Sequence, residues 1–270
     1  PGRRQVSRDG GRWWKADKRS ETSIALTPLQ RYTFDLRGYL LFEGVLDEAT
    51  VARMRTVIDD QRLPPADETI ERQRFGHNGD LFEWDQVFCD LIDHPLVLAV
   101  LMELIGPYVR LDHVYGITMR PGTSGLGLHG PAEPFDSSQY YLHRMGVLRS
   151  GLLTLTWSLS DGGPGDGGFG CIPGSHATSE PLPAGAESLV VEVPQPAGSL
   201  LVFTEALMHR TVPWQGADTR WAVLYKYSPG STAWGSSPAA PPAVVAKMSE
   251  QQQRFFQPPS VGGFIPTITR

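Results

Sequence analysis

Apolar positions change their spacing partway along the chain: before Val109 they recur at helical intervals, and after it they come in short runs split by glycine and proline. Leu46-Asp47-Glu48 opens a segment in which Val51, Met54, Val57 and Ile58 share one helical face, with acidic residues in the first turn, where the helix dipole favours them. A second helix is predicted at residues 96–104, stopped by Gly106-Pro107. Ordered structure is expected to begin near Thr27, and residues 34–42 read as a helix end followed by a strand. Past Val109 the predicted strands are 110–119, 151–159, 188–193, 200–204, 208–212 and 221–227, several with Val, Tyr, Thr or Trp at positions that strands favour. Many short strands with turn signals between them indicate a sandwich or barrel, and a jelly roll is the variant suited to a buried central site. The fold class is therefore mainly β with flanking helices.

The ends read differently. Residues 1–25 are rich in Arg, Lys, Asp and Ser, with Trp13-Trp14 as the one strong anchor, and are expected to lie as a polar arm over the domain formed by residues 26–235. Residues 236–270, proline-rich around a helical stretch at 243–254, are expected to wrap it. Segments 72–90 and 131–150 are long enough to serve as lids.

A chain of 270 residues with 40% hydrophobic content suffices for one large domain with a substantial core. The net charge of −5 and pI near 5.8 give no broad basic surface, which argues against a nucleic-acid polymer as partner and leaves room for a small anionic substrate. Cys89 and Cys171 stand far apart, which fits two buried thiols in a reducing compartment better than a disulfide framework. No apolar run approaches the roughly 18 to 20 residues needed to span a bilayer, and the start carries no signal-like stretch, so a soluble, cytoplasmic protein without a membrane partner is expected. Oligomeric state leaves no mark on the pattern.

Two histidines carry most of the candidate chemistry. His129 ends Gly127-Leu128-His129-Gly130-Pro131, His209 ends Phe203-Thr204-Glu205-Ala206-Leu207-Met208-His209, and Arg220 follows eleven residues later. A lone histidine beside glycine is more often a surface or core residue than a ligand. Two of them, each closing an apolar strand-like run, suit iron, whose oxygen-activating sites commonly use two histidines and one carboxylate. Residues 167–176, Gly-Gly-Phe-Gly-Cys-Ile-Pro-Gly-Ser-His, form a glycine-dense turn that is rare by chance.

That block, its placement between His129 and His209, the run before His209 and the interval to Arg220 together resemble the phytanoyl-CoA dioxygenase-like family of iron(II)/2-oxoglutarate enzymes, over roughly residues 30 to 230. The resemblance implies a double-stranded β-helix, the cupin-like jelly roll, with Fe(II), 2-oxoglutarate and O2 as cofactors and a small molecule as substrate. It implies His129 and His209 as metal ligands, and Arg220 as the arginine that holds the far carboxylate of 2-oxoglutarate, a task suited to its planar fork of donors. Thr211 matches a hydroxyl that supports that carboxylate, and Trp157 an aromatic wall of the co-substrate pocket. Strand packing and core packing are the plain alternatives for these two. His176 lies in the signature turn without being a ligand there. His113 shares a strand with Asp112 and Tyr115 and could line the pocket; His77, His94 and His143 have no ligand-like pairing.

The family pattern asks for an acid two residues after the first histidine, where this chain has Pro131, which offers no side-chain ligand. In relatives that halogenate unactivated carbons, a small apolar residue replaces that acid and chloride takes the vacated position. By that resemblance Gly130 and Pro131 would border a halide site, chloride would join the cofactors, and a carbon of a small metabolite of secondary metabolism, anionic and nucleotide-like, would receive chlorine in place of hydroxyl. Glu133 or Asp136 would serve an ordinary hydroxylase if the segment bulges, and a non-catalytic binding protein is the third reading. Asp161 and Asp166 read as turn formers. Arg120, Arg144, Arg149 and Arg210 lie near the expected mouth, where one or two could clamp an anionic substrate.

Overall fold

The computed structural model describes residues 25–63, 73–130, 136–144 and 147–269. The polar-arm expectation for residues 1–25 falls almost wholly outside this range, as do Pro131 and Glu133.

The helices precede the sheets. In α1 (Pro28–Arg37) the N-cap Thr27 accepts from the Gln30 amide while the Gln30 side chain returns to the Thr27 amide, and Gly38, at φ 79°, ends the helix in the left-handed conformation. The strand β1 (Tyr39–Phe42) follows. Asp47 caps α2 (Glu48–Asp60) through the Thr50 amide at 2.8 Å, and Val51, Met54 and Ile58 are its buried face. Residues 73–90 depart from the expectation of a lid: β2 (Gln73–Phe75), α3 (Asp80–Trp84) and α4 (Gln86–Cys89) bury Phe75, Leu81, Phe82, Val87 and Phe88, so this segment belongs to the core. The helix α5 (Pro95–Leu104) ends where Gly106-Pro107 predicted.

The remaining strands are β3 (Val109–Met119), β4 (Leu126–His129), β5 (Tyr141–Arg144), β6 (Val147–Ser150), β7 (Leu153–Ser158), β8 (Gly168–Cys171), β9 (Val191–Glu192), β10 (Leu200–Thr204), β11 (His209–Val212) and β12 (Arg220–Pro229). They form a six-stranded sheet of order β1-β10-β7-β12-β3-β2, a four-stranded sheet of order β4-β11-β8-β9, and the hairpin β5-β6, with neighbouring strands antiparallel. This is the expected jelly roll. The expected lid at 131–150 contains the hairpin in its described part. The helical stretch expected at 243–254 is broken into α6 (Pro242–Val245) and α7 (Glu250–Gln253), because Ser249 caps a new helix by a box with Gln252. Cys89 and Cys171 are both buried free thiols. No helix among the described residues is long and apolar enough to cross a membrane.

The large sheet is covered on both faces, and side-chain parity sorts its residues. Leu155 and Trp157 of β7, Leu200 and Val202 of β10, and Val223, Tyr225 and Tyr227 of β12 pack into one apolar core with α2, α4 and α5. Tyr225 and Tyr227 keep their hydroxyls bonded there by donating to the carbonyls of Phe88 at 2.7 Å and Ile92 at 2.9 Å. The alternate residues, Thr156, Leu201, Phe203, Arg220, Leu224 and Lys226, face the opposite way and line a cavity.

A buried polar knot ties the end of β12 to β3. Asp112 is 1% exposed; it accepts from Arg110 at 2.8 Å, from the Trp234 and Gly235 amides at 2.9 and 2.8 Å, and lies 2.8 Å from His113 Nδ1. Burial alone would raise this carboxyl, but the bonds from His113 and the two amides hold its pKa down to about 2. Its contribution to stability is therefore complete above the ordinary carboxylate range and is lost as pH falls through that range towards 2. Asp112→Ala, which strands Arg110 and two amides, should cost about 3 kcal/mol or more in urea unfolding at pH 7, with a smaller difference from wild type at pH 3.

Candidate functional site

His129 closes β4 and His209 opens β11, and the two strands pair with these residues directly opposite one another. Their ring centroids lie 4.2 Å apart with planes inclined at 54°. His129 Nδ1 donates to the Gly127 carbonyl at 2.8 Å and His209 Nδ1 to the Leu207 carbonyl at 2.7 Å. Each ring is thus tied back to the carbonyl two residues before it, which fixes the tautomer and leaves Nε2 as the lone-pair nitrogen. His209 is the more enclosed: burial, and to a lesser degree the neighbouring His129, hold its pKa below the usual imidazole range, so the ring is neutral near pH 7. Imidazole Nε2 atoms presented in this way are the donors that divalent iron takes.

Aromatic packing sets the angle of His209. Its ring lies 4.8 Å from Phe203 and 6.0 Å from Phe169, and those two meet across the sheets at 4.6 Å. Phe203 comes from β10 and Phe169 from the glycine-dense β8, so both sheets grip the ring.

The histidines sit in a cavity between the sheets, whose lining includes Thr211, Arg220, Thr156 and Tyr115. Arg220 is only 7% exposed, and its Nη1 lies 3.8 Å from Met119 Sδ. Gly168, at φ +91°, is needed beside it, because a Cβ there would come within 3.1 Å of Arg220 Nε. A Cβ on Gly167 would run into the Pro213 carbonyl, so this glycine pair lets β8 lie against both β11 and the guanidinium. Thr211 follows His209 by two residues and lines the cavity with it.

Other expectations fall differently. Trp157 does not form a wall of this cavity: it points to the helix side of β7, fully buried, with its ring 5.5 Å from His94 and Nε1 without a partner among the described residues. The alternation along the strand gives the cavity position to Thr156. Asp136 is committed to the Ser138 amide and hydroxyl at 2.8 and 2.7 Å and is absent from the lining. His176 packs at 4.4 Å on Tyr141 and bonds the Asp35 carbonyl at 3.1 Å, a structural part of the signature turn. Asp166 accepts from the Gly163 amide as a turn former, whereas Asp161 accepts from the Ala197 amide, 36 residues along the chain. His113 stacks between Tyr115 and Trp234 behind the cavity wall. Of the four arginines expected near the mouth, Arg210 is among the lining residues; Arg149 is spent on the Leu148 carbonyl.

Sequence reasoning passed over Glu205, Lys226 and Arg74. Glu205 is 5% exposed; its Oε1 accepts from Lys226 Nζ at 2.8 Å and from the Thr154 hydroxyl, and its Oε2 stands 3.9 Å from His209 Nε2. Burial would raise its pKa, but Lys226 and His209, with the Thr154 bond, bring it well below the usual carboxylate range. Arg74 stands over the Tyr115 ring at 4.4 Å, at the rim. The spacing of four between Glu205 and His209 was the one signal available. Among the described residues no group of three or more His, Cys, Asp or Glu could hold a metal ion as it stands.

Residues 34–222 match the phytanoyl-CoA dioxygenase (PhyH) family. The chain belongs to the phytanoyl-CoA dioxygenase family. Its solved neighbours include HygX from Streptomyces hygroscopicus with nickel and 2-oxoglutarate bound, 26% identical with a TM-score of 0.68 over 77% of this chain and 89% of that one. The same protein with nickel, 2-oxoglutarate and hygromycin B is similar at 26% identity and a TM-score of 0.66, with 77% and 89% covered. SnoN, a non-heme alpha ketoglutarate dependent epimerase from nogalamycin biosynthesis, shares the fold at 20% identity and a TM-score of 0.56, with 74% and 82% covered. No curated protein matches the chain. Membership of the phytanoyl-CoA dioxygenase family makes this chain one of the iron- and 2-oxoglutarate-dependent oxygenases.

Phe203→Ala should cost about 3 to 4 kcal/mol in denaturant unfolding, since it removes a buried ring that touches both Phe169 and His209. An unchanged unfolding midpoint would show that this packing does not hold the site.

Proposed function

We propose that this protein is an oxygenase that uses Fe(II), 2-oxoglutarate and O2 to oxidise an unactivated carbon of a small polar metabolite in secondary metabolism. One observation carries the reading: two imidazoles, each tied through Nδ1 to a backbone carbonyl, share a cavity with a buried arginine. His129 and His209 would hold the iron. Arg220 would take the far carboxylate of 2-oxoglutarate through its two-pronged face, helped by the Thr211 hydroxyl. When bound, iron and 2-oxoglutarate activate oxygen, giving succinate and carbon dioxide while the substrate carbon is oxidised. The chain's own residues supply position and dryness. Phe169 and Phe203 fix His209 and exclude water from its buried side, and Gly168 leaves the guanidinium its space.

HygX holds hygromycin B, a polar small molecule, in one of its structures. The lining of the present cavity is polar in its own way, with Arg74, Arg210, Lys226 and Glu205 among the residues around it. The excess of cations over acids there supports a substrate carrying an anionic group in addition to the anionic co-substrate.

Halogenation is the second reading, and Pro131 in place of the expected acid favours it. Chloride separates the two. Under the oxygenase reading, substrate-dependent succinate release and the anaerobic absorption of the Fe(II)–2-oxoglutarate chelate are unchanged when chloride is removed. Loss of product without chloride would transfer the assignment to halogenation. Failure to release succinate under any condition would remove both.

Gly168→Ala should push the Arg220 guanidinium aside and raise KM for 2-oxoglutarate about tenfold or more, while iron affinity stays within about twofold of wild type. An unaltered KM would detach Arg220 from co-substrate binding.

A further inference from the structure

We propose that Glu205 is the carboxylate ligand of the metal centre, replacing the acid that is missing at position 131. The inference rests on the metal-binding reading of His129 and His209 and adds the third protein ligand to it.

The turn after β10 brings Glu205 back beside His209. Glu205 N bonds the Leu152 carbonyl at 2.9 Å, Leu207 N closes onto the Thr204 carbonyl at 3.0 Å, and β11 then begins with His209. The carboxylate that results is asymmetric. Oε1 is held by Lys226 at 2.8 Å and by the Thr154 hydroxyl, whereas Oε2 makes no hydrogen bond among the described residues and faces His209 Nε2 at 3.9 Å. Glu205 lines the same cavity as His129 and His209, so a cation held there would meet this undonated oxygen. Its neighbour is the same nitrogen that the Nδ1 bond to the Leu207 carbonyl leaves free.

Distances permit the assignment. Imidazole nitrogen and carboxylate oxygen each lie about 2.1 Å from a divalent ion, so two ligands of one ion stand about 3 Å apart at adjacent corners and about 4.2 Å apart at opposite ones. The observed 3.9 Å falls between these limits. Closing it to an adjacent corner takes about 1 Å of movement, and the terminal torsion of a glutamate is broad enough to provide it. As they stand, the three side chains do not form a closed set. Lys226 and Thr154 act here as positioning residues that hold one oxygen still while the other is offered to the ion.

The competing acids are occupied. Asp136 is tied to Ser138, and Asp112 to Arg110, His113 and two amides on the far side of Tyr115. A Glu205 ligand also fills the place that a halide would need, which favours oxygenation.

The test is calorimetric titration of the metal-free protein with Ni²⁺, without substrate. Wild type binds one ion, Glu205→Gln lowers affinity a hundredfold or more, and Lys226→Met keeps affinity within about tenfold. The double variant Glu205→Gln with Lys226→Met removes both charges of the pair together, so no unpaired ion is left buried. It should lose affinity as the single glutamine variant does; wild-type affinity in it would reduce Glu205 to a structural ion-pair member and overturn the proposal. Should the variants not fold, a wild-type crystal soaked with Ni²⁺ and 2-oxoglutarate decides: Glu205 Oε2 at about 2.1 Å from the ion supports the assignment, and a carboxylate still 4 Å or more away rejects it. If wild type binds no Ni²⁺ at all, the reading of the two histidines fails as well, which distinguishes the two failures.

Discussion

The pairing of β11 with β4 on one side and β8 on the other is the constraint on which the site depends. His209 stands opposite His129 in one ladder and opposite Cys171 in the other, so the middle strand of the small sheet is gripped from both edges. A slip of one residue would turn His209 towards the wrong face and present Arg210 in its place. The register is held by packing as well as by hydrogen bonds. Phe169 of β8 and Phe203 of the opposite sheet close on the imidazole, and a ring in such contact tolerates little rotation. Each Nδ1 bond to a carbonyl two residues earlier then completes the orientation with no further side chain.

The large sheet does two jobs with its two faces. Its helix side carries Leu155, Trp157, Val223, Tyr225 and Tyr227, and this continuous apolar layer is the main source of the burial that stabilises the fold. Its cavity side carries Thr154, Thr156, Arg220 and Lys226, groups that are expensive to enclose unless paired. Lys226 meets Glu205, Arg220 lies along the Gly168 backbone and Met119, and Thr154 bonds Glu205. The stable face thus supports a polar face whose arrangement suits binding anions and a cation better than it suits stability.

Much of the frame could be read in the chain. The strand at 200–204 has the bounds its pattern predicts, α5 stops at its Gly-Pro signal, and the alternation of Leu153, Leu155 and Trp157 with Thr154, Thr156 and Ser158 is visible by eye. Other parts were hidden for identifiable reasons. The strand β8 is Gly-Phe-Gly-Cys, a sequence of poor strand propensity that is extended because β11 and β9 pair with it. Residues 73–90 lack a long periodic run, yet their short elements fill the core beneath β3 and β12. Trp157 was assigned to the co-substrate pocket because family position says nothing about parity, and the structure turns it to the helices.

By itself, then, the sequence determined the class of fold, the two histidines as a pair worth joining, and the arginine that follows them, because these rest on local alternation and on short motifs. Tertiary structure alone decided which face each strand residue occupies, that His129 and His209 meet ring to ring, and that Glu205 reaches the second of them. Those outcomes depend on register between strands distant in the chain and on the packing of two sheets. A pattern with a period of two records that two faces exist; only the partner strands determine what each face meets.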